Sequence, residues 1–506
     1  MLTTFFNTLV KGYLKYRNGR IQSIYQTPLE LQEEVFQGLL SKLKLTEYGK
    51  KYGATDIKNI HDFRIQIPLV SYENIYHYIE RMMTGEKDIL WPGEVTYFAK
   101  SSGTTNDKSK FIPITDDNLF ENHVAASWDA TAILYNNRSN ARLFDGKNLL
   151  MGGSLHHLHS KLITGDVSAI LLDRMPAIGR PFYTPDFETA LMNDWEEKIE
   201  KMVKHCSKED VVMFAGVPTW TILLFKRILE VTGKDHIREV WPNVKTYFHG
   251  GVGFDPYVQQ FKNFLPGDDF EYYEAYNASE GYFAVQDRVN TKGMLLLLDN
   301  AIYYEFIPLA DMHDHQPETV TLGDVKIGED YCIVISTSSG LWRYMPGDIV
   351  RFTDVHPYRI TVSGRTKQYI NVFGEEVMVH NTDQALRNVC DTYGGVIADY
   401  TVAPVFMDGI TKGGHEWLIE FEQMPNDIQV FAQQLDEQLR SINSDYDAKR
   451  HKDMALLPLT VSVAPSSTFN SWLKSKGKLG GQSKIPRLCN ERKYITDLHA
   501  FIHSNY

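Results

Sequence analysis

The sequence predicts an α/β protein in two parts: a large multi-sheet N-terminal domain over residues 1–366 and a small ferredoxin-like α+β domain over residues 367–506. Three observations carry this. Up to about Arg365, apolar runs suited to buried strands (211–215, 295–298, 332–335) alternate with amphipathic stretches such as 220–231. Beyond it the pattern becomes a compact succession of strand, helix, strand, strand, helix, strand. A chain of 506 residues, 43% hydrophobic and 23% charged, also has enough apolar surface for more than one core.

At the start, Leu2, Phe5, Phe6, Leu9, Val10, Tyr13 and Leu14 recur at helical spacing, broken by Asn7, Thr8 and Lys11. This predicts an amphipathic helix packed on the body, with an interfacial membrane helix as the alternative. The stretch lacks the uninterrupted apolar run and cleavage site of a signal peptide. No segment reaches the roughly 20 apolar residues of a membrane span.

In the second part, residues 369–373 read as a strand. Asn381 is expected to cap a helix, Gln384 to complete the capping box, and Ala385, Leu386, Val389 and Cys390 to form the buried stripe. Residues 396–402 and 417–421 follow as strands. Ile428, Phe431, Leu435, Leu439 and Ile442 mark one apolar side of a second helix, and residues 459–463 close with a strand.

Charge narrows the partners. A formal net charge of -12 disfavours a general nucleic-acid binder, which needs a basic face. A small anionic ligand needs only a local basic spot. Residues 371–453 hold 15 acidic against 6 basic side chains, whereas residues 454–506 hold 2 against 7. Cys206, Cys332, Cys390 and Cys489 are too scattered for a zinc knuckle or a redox pair, which fits a reducing cytoplasm. His156, His157 and His159 do not make a zinc site without further ligands.

Four segments carry chemistry. Ser101, Ser102, Gly103, Thr104 and Thr105, followed by Lys108 and Lys110, form a small, hydroxyl-rich turn after a strand-like run. Such a backbone can approach phosphate oxygens and donate to them, although the Walker order is absent. Gly250 and Gly251 follow a second strand-like run and offer main chain to a flat base. Tyr276, Asn277, Ser279 and Glu280 combine an aromatic face, a hydroxyl and a hard oxygen suited to Mg²⁺. Asp348 follows Pro346-Gly347 and can accept from two ribose hydroxyls. Taken singly, each also has a purely structural reading.

Together and in this order, the Ser101–Lys110 run with Phe111-Ile-Pro-Ile, Tyr276-Asn-Ala-Ser-Glu280, Tyr344-Met-Pro-Gly-Asp348 and Gly364-Arg365 resemble the nucleotide motifs and hinge of a known family. It is that of the auxin-responsive acyl-acid amido synthetases, within the firefly-luciferase-like adenylate-forming superfamily. The terminal Gly480-Gly-Gln-Ser-Lys-Ile-Pro-Arg resembles the superfamily's last motif, which points to Lys484, with Arg487 as support.

The resemblance implies a large adenylate-forming domain, a mobile small domain, ATP and Mg²⁺, a small carboxylic acid, and an amino acid or other amine as acceptor. It implies catalytic roles for Lys484, Glu280 and Lys110, with Glu280 also the metal ligand. It implies nucleotide contacts from residues 101–105, Gly250, Gly251, Tyr276, Asn277, Ser279, Asp348 and Arg365. It does not imply an oligomeric state. The chain departs from the family pattern at Thr105-Asn106-Asp107, at Asn277, where glycine is usual, and at Met345. An acyl-CoA ligase sharing the first half-reaction and a silent nucleotide-binding regulator stay open as alternatives.

Overall fold

The structure is a computed structural model that describes residues 2–101, 110–159, 162–251, 253–289, 291–312, 316–366, 369–370, 375, 377–405, 413–450, 456–477 and 485–505. The chain divides into two compact units. The first comprises Met1–Val217, Lys226–Gly251 and Asp268–Val362; the second comprises Pro218–Phe225, Val252–Gly267 and Ser363–Tyr506.

The opening stretch is a helix, Leu2–Gln26. Val10, Leu14, Ile21 and Ile24 recur on one side and are buried in the core of the first unit, as the packed reading expects, while Tyr13 is exposed and the side chains of residues 2–9 lie outside the described ones. Arg17 lies on the same helix and donates two hydrogen bonds, 2.7 and 2.6 Å, to the buried carboxylate of Asp129. No helix among the described residues is long and apolar enough to cross a membrane.

Among the described residues the first unit is built on an eleven-stranded sheet and a four-stranded one. The large sheet changes character along its width. From Glu271–Ala278 through Thr246–His249, Val211–Gly216 and Lys147–Leu150 to Tyr183–Thr184, every neighbouring pair is parallel. From Glu271–Ala278 the other way, pairs such as Glu271–Ala278 with Gly281–Val285 and Ile302–Pro308 with Asp330–Thr337 are antiparallel. The apolar runs at 211–215, 295–298 and 332–335 all supply strands to this sheet. In the four-stranded sheet, Tyr97–Ser101 pairs antiparallel with Lys110–Ile114 and parallel with Leu162–Gly165.

In the second unit the helices Val379–Tyr393 and Ile428–Ile442 and the strands Val396–Val405, Gly414–Gln423 and Thr460–Ala464 follow the expected order. Ala385, Leu386, Val389, Phe431, Leu435 and Leu439 are buried together. Two details differ. The first strand is represented by Tyr369–Ile370, which pairs with Val377–Met378 in a separate ribbon. The three longer strands form their own sheet, with Thr460–Ala464 parallel to Gly414–Gln423 across the helical crossover. Asn381 is not the helix cap, because strand runs straight into helix at Val379; it sits one turn in and accepts from Met378 N–H at 2.9 Å.

A buried ion pair fixes the antiparallel half of the large sheet. The Arg343 side chain donates five hydrogen bonds: two to Glu305 (3.0 and 3.1 Å), one to Thr319 (3.0 Å), and two to the carbonyls of Arg64 and Ile67 (2.8 and 2.9 Å). Its φ of 45° is left-handed, a conformation that costs a side-chain-bearing residue about 1–3 kcal/mol. The five bonds offset that cost. Arg343→Met leaves the buried Glu305 carboxylate to Arg64 (3.2 Å) and Thr319 (2.6 Å) and is expected to lower unfolding free energy by up to about 3–5 kcal/mol in urea denaturation. The double variant with Glu305→Gln should lose less than the single; an Arg343→Met protein of native stability contradicts this role.

Candidate active site

Two glycines and a carboxylate turn lie beyond the carboxyl ends of neighbouring parallel strands, where open α/β sheets bind ligands. Gly250 and Gly251 follow Thr246–His249, and Ser279 and Glu280 follow Glu271–Ala278. In the antiparallel hairpin that begins there, Ala278 faces Gly281 and Asn277 faces Tyr282, so Ser279 and Glu280 form a two-residue turn. Both are buried, a costly setting for a carboxylate.

Tyr276, on the same hairpin, donates a 2.6 Å hydrogen bond from its hydroxyl to Asp348 Oδ2, 72 residues away. Asp348 opens the strand Asp348–Val355 directly after Gly347, whose φ of 90° makes the turn that glycine tolerates. The segment before it is pinned: Tyr344 bridges to Val70 and to Ile335, and Met345 N–H donates to Val70 O at 2.9 Å. Asp348 and Tyr276 are thus held together from two independent pieces of chain.

Lys110 faces Ser101 at the connected end of the Tyr97–Ser101 and Lys110–Ile114 hairpin. Its ammonium sits 5.5 Å from the ring centre of Tyr72, and the Tyr72 hydroxyl accepts from Phe111 N–H at 2.8 Å. Burial, with smaller contributions from nearby acids that include Glu280, pushes the Tyr72 phenol up to about 12. Tyr72 therefore stands within electrostatic reach of both Lys110 and Glu280. Ser102, Gly103, Thr104, Thr105 and Lys484 lie outside the described residues, as does the side chain of Ser101.

The glycines have a packing reason. A side chain at Gly250 would meet Ala275 O at 2.2 Å, so Gly250 is required by the close approach of the next strand; Gly251 has φ of 80°. Arg365 ends the strand Tyr358–Arg365 and belongs to the second unit. Arg487 is buried there and donates to Asp383 Oδ1 (2.8 Å) and to the Tyr257 hydroxyl (2.7 Å). Pro486 and Arg487 accept from Thr401 and Val402, anchoring the chain just after Lys484 along the strand Val396–Val405. Among the described residues no three metal-ligating side chains cluster.

Residues 17–194 and 157–270 match the GH3 family N-terminal domain, residues 295–365 the central domain, and residues 380–493 the C-terminal domain. The chain belongs to the GH3 family. The resemblance read from the motifs is borne out. A relative named indole-3-acetic acid-amido synthetase GH3.4, of Arabidopsis thaliana, is 24% identical and aligns over 92% of this chain and 90% of its own. The 4-substituted benzoates-glutamate ligase GH3.12 of the same plant is 23% identical over 93% and 95%. The solved GH3.15 acyl acid amido synthetase in complex with 2,4-DB, also from Arabidopsis thaliana, shares the fold, with a TM-score of 0.78, 18% identity and 96% of each chain covered.

Sequence reasoning missed Tyr72, Asn122 and His123 in this GH3 chain. The last two lie on a buried π-helical turn, Asn118–Val124, which has no apolar period to betray it. His123 neighbours Asn277, and burial holds its imidazole down at about 4; burial alone holds His249 down at about 3. Both are lowered from 6.5, so the unfolded chain takes up two protons that the folded one refuses. Stability is then lost as pH falls from about 6.5 towards 4, by about 1.4 kcal/mol per unit for each group. Asp129, raised to about 6 by burial, acts in the opposite sense. Replacing both histidines by glutamine is expected to flatten the loss measured by urea denaturation between pH 6.5 and 4.5; an unaltered slope contradicts these shifts.

Proposed function

We propose that this GH3 protein activates a small carboxylic acid with ATP as its acyl-AMP and transfers the acyl group to the amine of an amino acid. The observation that carries the reading is the Tyr276–Asp348 contact. It joins the second and third nucleotide motifs beside a buried carboxylate turn, at the strand ends where such sheets take ligands. The relatives' names supply the substrate classes: indole-3-acetic acid or a 4-substituted benzoate as acid, and glutamate as one acceptor.

In this reading Asp348, oriented by Tyr276, accepts from the ribose hydroxyls, and Gly250 and Gly251 flank the base with Tyr276 and Asn277. Donors of residues 101–105 and Lys110 face the phosphates. A buried carboxylate outside any cluster of three metal-ligating side chains among the described residues suits Mg²⁺, which keeps water and phosphate oxygens for most of its ligands. Glu280, beside Ser279, would hold it, and bound there the ion neutralises charge on the phosphate oxygens. The acid's carboxylate oxygen attacks the α-phosphorus and pyrophosphate leaves. Positioning and charge stabilisation suffice, so no side chain need become a nucleophile. The neutral amine then attacks the carbonyl carbon, AMP departs with the bonding pair, and the amine's proton goes to solvent.

We place the boundary of the small domain at residues 366–367, near Arg365, and assign to Lys484 the role of reaching the α-phosphate during the first half-reaction. The anchoring of Pro486 and Arg487 supports it: whatever moves that strand carries Lys484 along. The four cysteines are free thiols, which suits a cytoplasmic protein.

The test is single-turnover kinetics on both half-reactions. Wild-type protein should form acyl-AMP from acid and ATP, and Lys484→Ala should slow that step about 10²–10³-fold while sparing aminolysis of acyl-AMP supplied from outside. Equal damage to both steps rejects the role of Lys484. Absence of acyl-AMP formation by wild type with every acid tried rejects the reading as a whole.

A further inference from the structure

The Ser279–Glu280 turn is carried by a hairpin whose second strand lacks a neighbour where it starts. Gly281–Val285 meets Met294–Leu296 only at Ala284 and Val285, and a register shift falls between Tyr282 and Ala284. Leu297 N–H extends that pairing as far as Phe283 O, and among the described residues Tyr282 has a strand on one edge, through Asn277, and no strand registered on the other.

Asn122 fills that edge. Its Oδ1 accepts from Tyr282 N–H at 2.7 Å, and its Nδ2 donates to Tyr282 O at 3.2 Å and to Asn300 O at 2.8 Å. A side-chain amide has one acceptor and two donor hydrogens, so this geometry gives it the bonds a strand residue would make. Asn122 is fully buried, and all three partners are main-chain groups. The fit is close: a side chain at Gly281 would meet Ile302 Cδ1 at 2.6 Å and Asn122 Oδ1 at 3.3 Å.

The element carrying Asn122 touches the other motifs too. The π-helical turn Asn118–Val124 follows Lys110–Ile114 by a few residues. Thr115, between them, accepts from Asn118 N–H at 2.9 Å and donates to Ser338 O at 2.6 Å, in the segment that leads to Asp348. A π-turn adds a residue to a helix and is frequent at functional sites. Here Asn122 bonds to the main chain of Tyr282, which faces Asn277 in register.

We propose that Asn122 is a positioning residue: its amide, standing in for the missing strand at Tyr282, fixes the Ser279–Glu280 turn so that Glu280 can bind the metal of the metal–nucleotide substrate. This rests on the reading of Glu280 as the metal carboxylate. Asn122→Leu keeps volume and removes all three hydrogen bonds. Asn122→Asp keeps the acceptor for Tyr282 N–H and loses the two donated bonds. Groups that orient a metal ligand typically change metal affinity by about 10–100-fold when removed.

The experiment is a Mn²⁺ titration followed by electron paramagnetic resonance, with a non-hydrolysable ATP analogue present. It is run on wild type, Asn122→Leu, Asn122→Asp and Glu280→Gln, with hydrogen exchange of the peptide that contains Tyr282 measured alongside. Asn122→Leu should weaken Mn²⁺ binding about 10-fold or more and speed exchange at Tyr282, with Asn122→Asp intermediate. If leucine prevents folding, the aspartate variant carries the same comparison. Native Mn²⁺ affinity in a folded Asn122 variant, beside weakened binding in Glu280→Gln, overturns the proposal. Native affinity in Glu280→Gln overturns the reading of Glu280 instead, and unaltered exchange at Tyr282 in Asn122→Leu then overturns the clamp as well.

Discussion

The hydrogen bond from the Tyr276 hydroxyl to Asp348 is the contact on which the candidate site depends, since it joins two motifs that share no stretch of chain. An aspartate buried at the start of a strand needs a donor, and a buried tyrosine hydroxyl needs an acceptor. Each meets the other's requirement only if the hairpin Glu271–Val285 and the strand Asp348–Val355 lie at a fixed distance, so the polar contact reports the packing of the sheet. In the proposed reading, Asp348 also accepts from the vicinal hydroxyls of a ribose.

The surroundings of this contact are rigid for identifiable reasons. Arg343 spends all of its donors on Glu305, Thr319 and two carbonyls, in a backbone conformation that would not persist without them. Val70 pairs with Tyr344, and Tyr72, two residues on, holds the strand that starts at Lys110. Residues 70–72 therefore touch both the third-motif segment and the first-motif hairpin. Catalysis by positioning needs groups that do not reorganise during reaction, and buried, fully bonded polar side chains provide them.

Much of this was legible in the sequence, because the motif residues sit on local structures whose logic is short-range. The Pro346-Gly347 turn before Asp348 and the strands at 211–215 and 332–335 could be read from consecutive residues, whereas the two-residue turn at Ser279 and Glu280 emerges from the hairpin register. Asn122, His123 and Tyr72 could not. Asn122 acts on a residue 160 positions away, and nothing in its neighbourhood distinguishes it from a surface asparagine of an ordinary helix. Asn381 was legible as a cap but misplaced by a turn, since the same side chain can accept from the first N–H of a helix from within it. At Gly250 the structure supplies a packing reason: Ala275 O excludes a side chain whether or not a base lies nearby.

AMP release from ATP, measured across a panel of carboxylic acids with and without amino acids or coenzyme A, tests most directly whether the assembled motifs serve amide synthesis. Turnover is expected only when an acid and an amino acid are both present, with an amide as product. Coenzyme A should not replace the amine. Turnover with coenzyme A alone as acceptor, or an acid-independent release of AMP, contradicts the proposed reaction.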